Sequence, residues 1–250
     1  MEARPLRIAF WSGPRNVSTA LMRSFESRSD AVVVDEPFYA HYLWTTGIQH
    51  PGREDILASQ PTDPKAVIAG LLAPLPHGKS VQFQKQMAHH LIPSVPREWL
   101  KDVRHAILLR EPASVIASYT KVVEQPTALD LGYPQLTEIY DHALREFRVA
   151  PPVVDANDLL ADPEGVLKEL CAALGLPFET AMLRWEPGRR ATDGVWAPHW
   201  YANVERSHGF TRFVEKPAVV GPTLEPVLSE CESHYRALWK HRIPARKLSS

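Results

Sequence analysis

Residues 6–19 read LRIAFWSGPRNVST: an apolar run, a loop and then two adjacent hydroxyls, the arrangement by which a strand delivers an anion site to a helix N-terminus. Gly13, Pro14, Arg15, Asn16 and Val17 form the loop. With Ser18 as the helix N-cap and Thr19 behind it, free backbone N–H groups point inward at the positive end of the helix. Arg15 adds a cation to the same loop. A nucleoside-triphosphate loop of the form G-x-x-x-x-G-K-[ST] sets its lysine on the outer phosphates and its hydroxyl on magnesium. Here Ser18 and Thr19 stand where that pattern has Gly-Lys, so the charge clamp of a simple ATP or GTP site is missing. A plain strand-to-helix turn with a capped helix explains the same residues without any ligand.

A second anion site is written into HAILLREPASVIASY, residues 105–119. Arg110 falls at the C-terminal end of an apolar run, where ligands of open parallel sheets gather, and Ser114 and Ser118 share one face of the helix that follows. A guanidinium offers paired hydrogen bonds to phosphate oxygens and a serine hydroxyl adds one more. Two anion sites at two strand ends suggest a nucleotide phosphorylated in two separate places. An ion pair between Arg110 and Glu111 is the simpler alternative.

The elements that must position these groups are legible as a strand and helix alternation. Five short apolar runs, RIAFW near 7, AVVVD near 31, SVQFQ near 80, HAILL near 105 and PPVVD near 151, are separated by segments with apolar residues at helical spacing. DPKAVIAGLLAPL and EPASVIASYTKVVE are two such helices, the second with Pro112 in its first turn. DLLADPEGVLKELCAALGLPF reads as a helix stopped by Gly175 and Pro177, and TLEPVLSECESHYRALWKHRI as a closing helix. In the helix after the first loop, Leu21 and Phe25 face the core while Arg23 and Arg28 stay in water. The pattern predicts one α/β domain over 1–250: a three-layer sandwich with a central parallel sheet flanked by helices, of the P-loop nucleotide-binding type. Residues 185–213, rich in Trp, Gly and Arg and without a period, are expected to be a long ordered loop or lid.

Bulk properties set limits on the function. With 44% hydrophobic and 23% charged residues, the chain of 250 residues has the composition of a globular protein. A net charge of -1 gives no field that would recruit nucleic acid or an anionic membrane. Cys171 and Cys231 are too few for a disulfide framework and have no metal-ligand spacing, which suits a reducing cytosol. MEARPLRIAF matches neither a signal peptide nor a membrane span, so the chain reads as cytoplasmic.

Taken in order, these motifs resemble the sulfotransferase family, whose members use 3'-phosphoadenylyl sulfate. The first loop in bacterial members often reads Pro-Arg-Ser-Gly-Thr-Thr; PRNVST matches at Pro14, Arg15 and Thr19, with Ser18 replacing one hydroxyl by another, and departs at Asn16 and Val17. In that family this loop binds the 5' phosphosulfate, and an arginine with a serine eight places on binds the 3' phosphate; Arg110 and Ser118 have that spacing. VVDANDLLADPEGVLKELCAALGLPF is similar to the strand, acidic turn and helix that follow. The resemblance covers roughly residues 6–180. It implies 3'-phosphoadenylyl sulfate as co-substrate, no metal, and a hydroxyl or amine of a small molecule as acceptor. A basic loop in this part of the chain covers the nucleotide in relatives, which implies that role for Arg189, Arg190 and Arg206. Some similar chains carry an aminotransferase-like label, yet no arrangement here argues for pyridoxal phosphate chemistry.

A sulfuryl group carries less negative charge than a phosphoryl group, so the demand for a bridging metal is lower. Charge builds on the leaving phosphate, where helix N–H groups, Arg15, Ser18 and Thr19 would stabilise it. The acceptor must lose a proton, which calls for a base. Glu36, directly after the second apolar run, resembles the glutamate some bacterial sulfotransferases use as base; Asp35 beside it would raise its pKa or satisfy a backbone donor. Lys85 ends the third run, with His89 and His90 beyond it, and matches loosely the Lys-x-His of other members. Lys85 would neutralise the leaving oxygen. Each has a plainer role open to it, since Glu36 could cap a helix starting at Pro37 and the histidines could pack or face solvent. The aromatics of 185–213 could stack adenine or pack against the sheet edge. FYAHYLWTTGIQHPGRED, with His41, His50 and Arg53, is the expected acceptor wall. A kinase-like P-loop enzyme and a non-catalytic nucleotide-binding module are the competing readings.

Overall fold

Five apolar stretches too short for buried helices pair side by side as parallel strands, and the connections between them must cross the sheet faces. The computed structural model describes residues 4–211 and 218–246; the end of the expected 185–213 loop, residues 212 and 213, lies outside them. Its strands are β1 (Leu6–Ser12), β2 (Ala31–Asp35), β3 (Val81–Met87), β4 (Arg104–Leu109), β5 (Val153–Asp155) and β6 (Arg242–Ile243). They form a single parallel sheet in the order β2-β3-β1-β4-β5-β6. The first five are the five expected runs. β6 was concealed in the closing helix pattern, because only Arg242 and Ile243 pair, against Val153 and Val154.

The helices are α1 (Ser18–Glu26), α2 (Tyr39–Thr46), α3 (Arg53–Ser59), α4 (Pro64–Leu72), α5 (Pro112–Tyr119), α6 (Ala128–Leu131), α7 (Tyr133–Phe147), α8 (Ala156–Ala161), α9 (Pro163–Ala173), α10 (Ala197–Trp200) and α11 (Glu225–Trp239). Side-chain alternation along β1 divides them into two layers. Ile8 and Phe10 pack with Leu21 and Phe25 of α1 and Leu167 and Leu170 of α9. Ala9 and Trp11 pack on the opposite face with Val67 of α4, Ile139 of α7 and Leu238 of α11. Both faces of the sheet are therefore covered, as a parallel sheet requires. None of the described helices is long and apolar enough to cross a membrane.

Three local expectations are corrected. The helix expected over 158–175 is interrupted: Asp162 accepts from Gly165 N and caps a new helix whose first residue, Pro163, has no N–H to continue α8. The N-cap of α1 is Val17, which makes no side-chain cap bond, and Ser18 is the first helical residue. Arg23 and Arg28 are not in water. They are 1% and 2% exposed. The connection after α9 folds back over them and brings a carboxylate to each: Asp193 to Arg23 at 2.6 Å and Glu179 to Arg28 at 3.0 Å.

The chain visits β2 and β3 on one side of β1 before crossing to β4 on the other, so a crevice opens beyond the C-terminal end of β1. Gly13 turns the chain there. Its requirement is close approach, because a Cβ at this position would stand 2.4 Å from the carbonyl oxygen of Leu131 at the end of α6. Gly13→Ala therefore forces loop and α6 apart, at a cost of about 1–3 kcal/mol. Scanning calorimetry is expected to show a fall of roughly 2–4 °C per kcal/mol; an unchanged melting temperature would contradict this contact.

Candidate active site

The loop after β1 is held by its own side chains. Asn16 Oδ1 accepts from Val17 N at 2.8 Å, while its amide donates to Leu108 O of β4 at 3.3 Å. Asn16, a departure from the expected loop pattern, thus fastens the loop to the sheet. Arg15 has φ 56°, in the left-handed region that a non-glycine residue seldom occupies. That turn sends its guanidinium across to α5, where Nε donates to Ser118 Oγ at 2.9 Å. Arg110 Nη1 donates to the Arg15 carbonyl at 2.7 Å. Burial and the charge of Arg110 both lower the Arg15 pKa, as expected for two guanidiniums converging where an anion would relieve them. Glu111 serves as N-cap of α5, accepting from Ala113 N and Ser114 N.

These groups border a cavity of about 550 Å³. Asn16, Val17 and Thr19 line it, with Arg15, Arg110 and Ser118, and it also takes in Lys121, Asn157, Trp200, Tyr201 and Phe210. A second chamber, of about 110 Å³, adjoins it. Pro14, Arg15, Asn16, Ser18 and Thr19 wall one side and Glu36, Tyr39, Lys85, His89, His90 and Tyr119 the other. Arg15, Asn16, Thr19, Trp200 and Tyr201 belong to both spaces.

A cluster of buried charges closes the small chamber. Lys85, 2% exposed and two residues before the end of β3, donates to Asp35 Oδ1 at 3.0 Å, Glu36 Oε1 at 2.6 Å and the Tyr201 hydroxyl at 2.5 Å. The strand register sets the first pair, since Asp35 lies opposite Lys85. Glu36 extends the pairing through its N–H to Lys85 O, at 2.9 Å, and then turns with φ 40°. Burial pushes the Glu36 pKa up, with the Asp35 charge adding to the effect and Lys85 opposing it. Burial alone would lower the pKa of Lys85, but the charges of Asp35 and Glu36 outweigh it and carry the pKa well above its ordinary value. One ammonium held between two carboxylates is consistent with both directions.

The two histidines are interior rather than surface residues. His90 stacks on both Tyr39 and Tyr42 at 4.7 Å, and His89 meets Tyr42 edge-on. Burial lowers the His89 pKa to about 3 and that of His90 well below its usual value, so both rings are neutral. Gly13 stands behind the loop and borders neither space. The arginines of the late segment are also elsewhere. Arg190 pairs with Glu26, Arg206 donates to Asn203, and Arg189 is exposed away from both cavities. Glu26, which also accepts from Thr192, holds this part of the segment at α1. Its aromatics divide: Trp185 and Trp196 are buried in packing, whereas Trp200, Tyr201 and Phe210 reach the cavities. Lys121 and Asn157 were not foreseen, and Tyr201 was expected only as one of the aromatics that could stack adenine or pack against the sheet edge. Of these, Lys121 and Asn157 lay in or beside motifs already marked, but nothing in the spacing around Tyr201 pointed to a partner 166 residues away.

The family model of the sulfotransferase domain matches residues 6–236. The chain belongs to that family. Solved sulfotransferases share the fold: the sulfotransferase domain from the curacin biosynthetic pathway has a TM-score of 0.56 at 16% identity, over 97% of this chain and 100% of that one. A sulfotransferase from Alicyclobacillus acidocaldarius has a TM-score of 0.56 at 15% identity, over 96% and 98%. At such identities the likeness concerns the fold. Two Arabidopsis thaliana proteins, branched-chain-amino-acid aminotransferase-like protein 2 and protein 1, are 34% identical over 232 residues and 38% identical over 212. Those stretches are 92% and 84% of this sulfotransferase-family chain, which spans 41% and 37% of the two relatives.

The raised Glu36 pKa has a consequence for stability. A carboxyl that holds its proton more tightly in the folded state stabilises the fold below its unfolded pKa, about 4.3. That contribution is lost as pH rises through the folded value. Glu36→Gln removes the dependence, so its stability relative to the parent is expected to climb as pH rises from about 4.3. Urea unfolding at several pH values measures this difference; parallel curves would contradict a raised Glu36 pKa.

Proposed function

We propose that this sulfotransferase-family chain moves a sulfuryl group from 3'-phosphoadenylyl sulfate to a hydroxyl or amine of a small molecule. The observation that carries the reading is the meeting of two cation-lined cavities at Arg15 and Thr19, with Glu36 and Lys85 in the wall of the smaller. The larger, with Arg110, Ser118 and Lys121, has the charge and size to take a nucleotide with a second phosphate. The donor supplies a sulfur centre and a phosphate leaving group. In the small chamber Glu36 takes the acceptor proton as the new bond to sulfur forms and the bond to the phosphate oxygen breaks. The N–H groups at the start of α1, the hydroxyls of Ser18 and Thr19 and the cations of Arg15 and Lys85 offset the negative charge that develops on that oxygen. A raised pKa suits Glu36 to this work, because a base is most effective with its pKa nearer the working pH.

The walls of the chamber also describe the acceptor. His89 and His90 are neutral, burial lowers the pKa of His50, and Tyr39 and Tyr119 are held as phenols by burial. Arg15, Lys85 and Glu36 are committed to the transfer. An uncharged acceptor leaves no ionic group without a partner. In a panel of one-ring hydroxyl compounds, neutral members are expected to be sulfated faster than those with an added carboxylate or ammonium, followed by formation of adenosine 3',5'-bisphosphate.

Nucleotide choice is the decisive test. Adenosine 3',5'-bisphosphate at about 100 times its dissociation constant is expected to add roughly 2.7 kcal/mol of stability, equally with and without magnesium. A thermal shift with ADP and magnesium in place of the bisphosphate would instead favour a kinase-like enzyme.

A further inference from the structure

Two carboxylates side by side at the end of β2 leave open which of them exchanges the proton. The phenol of Tyr201 decides between them. We propose that Tyr201 is a positioning residue: its hydroxyl fastens Asp35 and Lys85 to each other and so leaves Glu36 as the carboxylate that takes up and gives up the proton. The inference rests on the reading of Glu36 as base.

Hydrogen-bond capacity supports it. An ammonium has three donors, and Lys85 meets three acceptors, on Asp35, Glu36 and Tyr201. A phenol has one donor and two lone pairs. The Tyr201 oxygen accepts from Lys85 at 2.5 Å and from Trp196 Nε1 at 3.0 Å, and its proton is directed to Asp35, 2.7 Å from Oδ2. Asp35 Oδ2 also accepts from Gly194 N at 3.1 Å. Three donors therefore converge on Asp35, from Lys85, Tyr201 and Gly194, while Lys85 donates to Glu36. Hydrogen bonds to a carboxylate favour its charged form, and of these two carboxylates Glu36 receives the fewer donors, so the exchangeable proton is left to Glu36. The phenol remains protonated throughout, since burial and the Asp35 charge raise its pKa well above the ordinary value.

Tyr201 is delivered to this place by a segment with its own anchors. Asp193 meets Arg23 in a buried ion pair at 2.6 Å, and Thr192 donates to Glu26 at 2.5 Å. Trp196, Ala197 and Tyr201 then pack with Tyr39, Tyr42 and Leu43 of α2. The other groups that line the chamber with Glu36 are the hydroxyls of Tyr39 and Tyr119, together with Arg15, His50, His89 and His90. None of them touches Asp35 and Lys85 together as Tyr201 does.

The test is a carboxyl ¹³C titration of the full chain by NMR, with the Glu36 resonance identified by its disappearance in Glu36→Gln. In the parent, Glu36 is expected to titrate above about 4.3. Tyr201→Phe keeps the ring and removes the hydroxyl, so Lys85 loses one acceptor and turns more fully to Glu36. That change lowers the Glu36 midpoint, by about one pH unit. Asp35→Asn, which keeps the shape and removes the charge, is expected to lower it as well, and it carries the test should Tyr201→Phe fail to fold. An unmoved Glu36 midpoint in either folded variant would overturn the proposal. Turnover is followed in parallel as release of adenosine 3',5'-bisphosphate from 3'-phosphoadenylyl sulfate. Undiminished turnover in Glu36→Gln would defeat the reading of Glu36 as base. Lost turnover in Glu36→Gln with an unmoved midpoint in Tyr201→Phe would defeat the role of Tyr201 alone.

Discussion

A lysine ammonium almost wholly removed from water must find its solvation within the protein, or it loses its charge. Much of the site follows from how Lys85 meets that demand. Its strand lies beside β2, so register alone brings Asp35 opposite, and one more residue of pairing brings Glu36. The third contact cannot come from the sheet. It comes from Tyr201, and to bring it the chain must leave β5, α8 and α9, fold back over α1 and reach α2 before it returns to α11 and β6. The charge cluster and the late segment are in this sense one device: the segment completes the shell of the ammonium, and the ammonium fixes where the segment lies.

The arginines of the α1 side play a parallel part at a distance from the chemistry. Arg23 and Arg28 are covered by the returning chain, and each is met by a carboxylate from it. Removing one partner from such a pair costs more than the pair contributes, because the remaining charge is stranded. The late segment is thus tied down at Asp193 before it reaches the chamber. Beyond that anchor the stretch from Trp200 to Thr211 lines the cavities, while Arg190 stays outside with Glu26.

Elements whose stability comes from their own residues were legible in the sequence. β1, β2, β4 and β5 are built on apolar runs, β3 sets Val81 and Phe83 between glutamines, and α4 and α5 carry their own starts in Asp63-Pro64 and Glu111-Pro112. The loop arginine, Arg110 with Ser118, Glu36 and Lys85 could be singled out because each stands at a strand end or in a short motif. Features set by distant partners were not. Arg23 and Arg28 read as surface residues because the chain that covers them arrives some 150 residues later. Ser18 reads as a cap, yet the turn at Arg15 lets the helix begin with it. Tyr201 sits in a stretch without periodicity, and its role depends on Asp35, Lys85 and Trp196 converging from three separate parts of the chain.

Arg15 and Glu36 both lie in the left-handed region of backbone space, and neither is a residue that settles there readily. Such conformations cost on the order of 1–3 kcal/mol each, a burden that glycine would largely relieve. At each position a side chain that lines the chamber is carried on a backbone turn that glycine would take more readily. Glycine at 15 would relieve that cost, whereas glycine at 36 would also leave the buried Lys85 ammonium without one of its three acceptors, so the two left-handed turns are held by different balances.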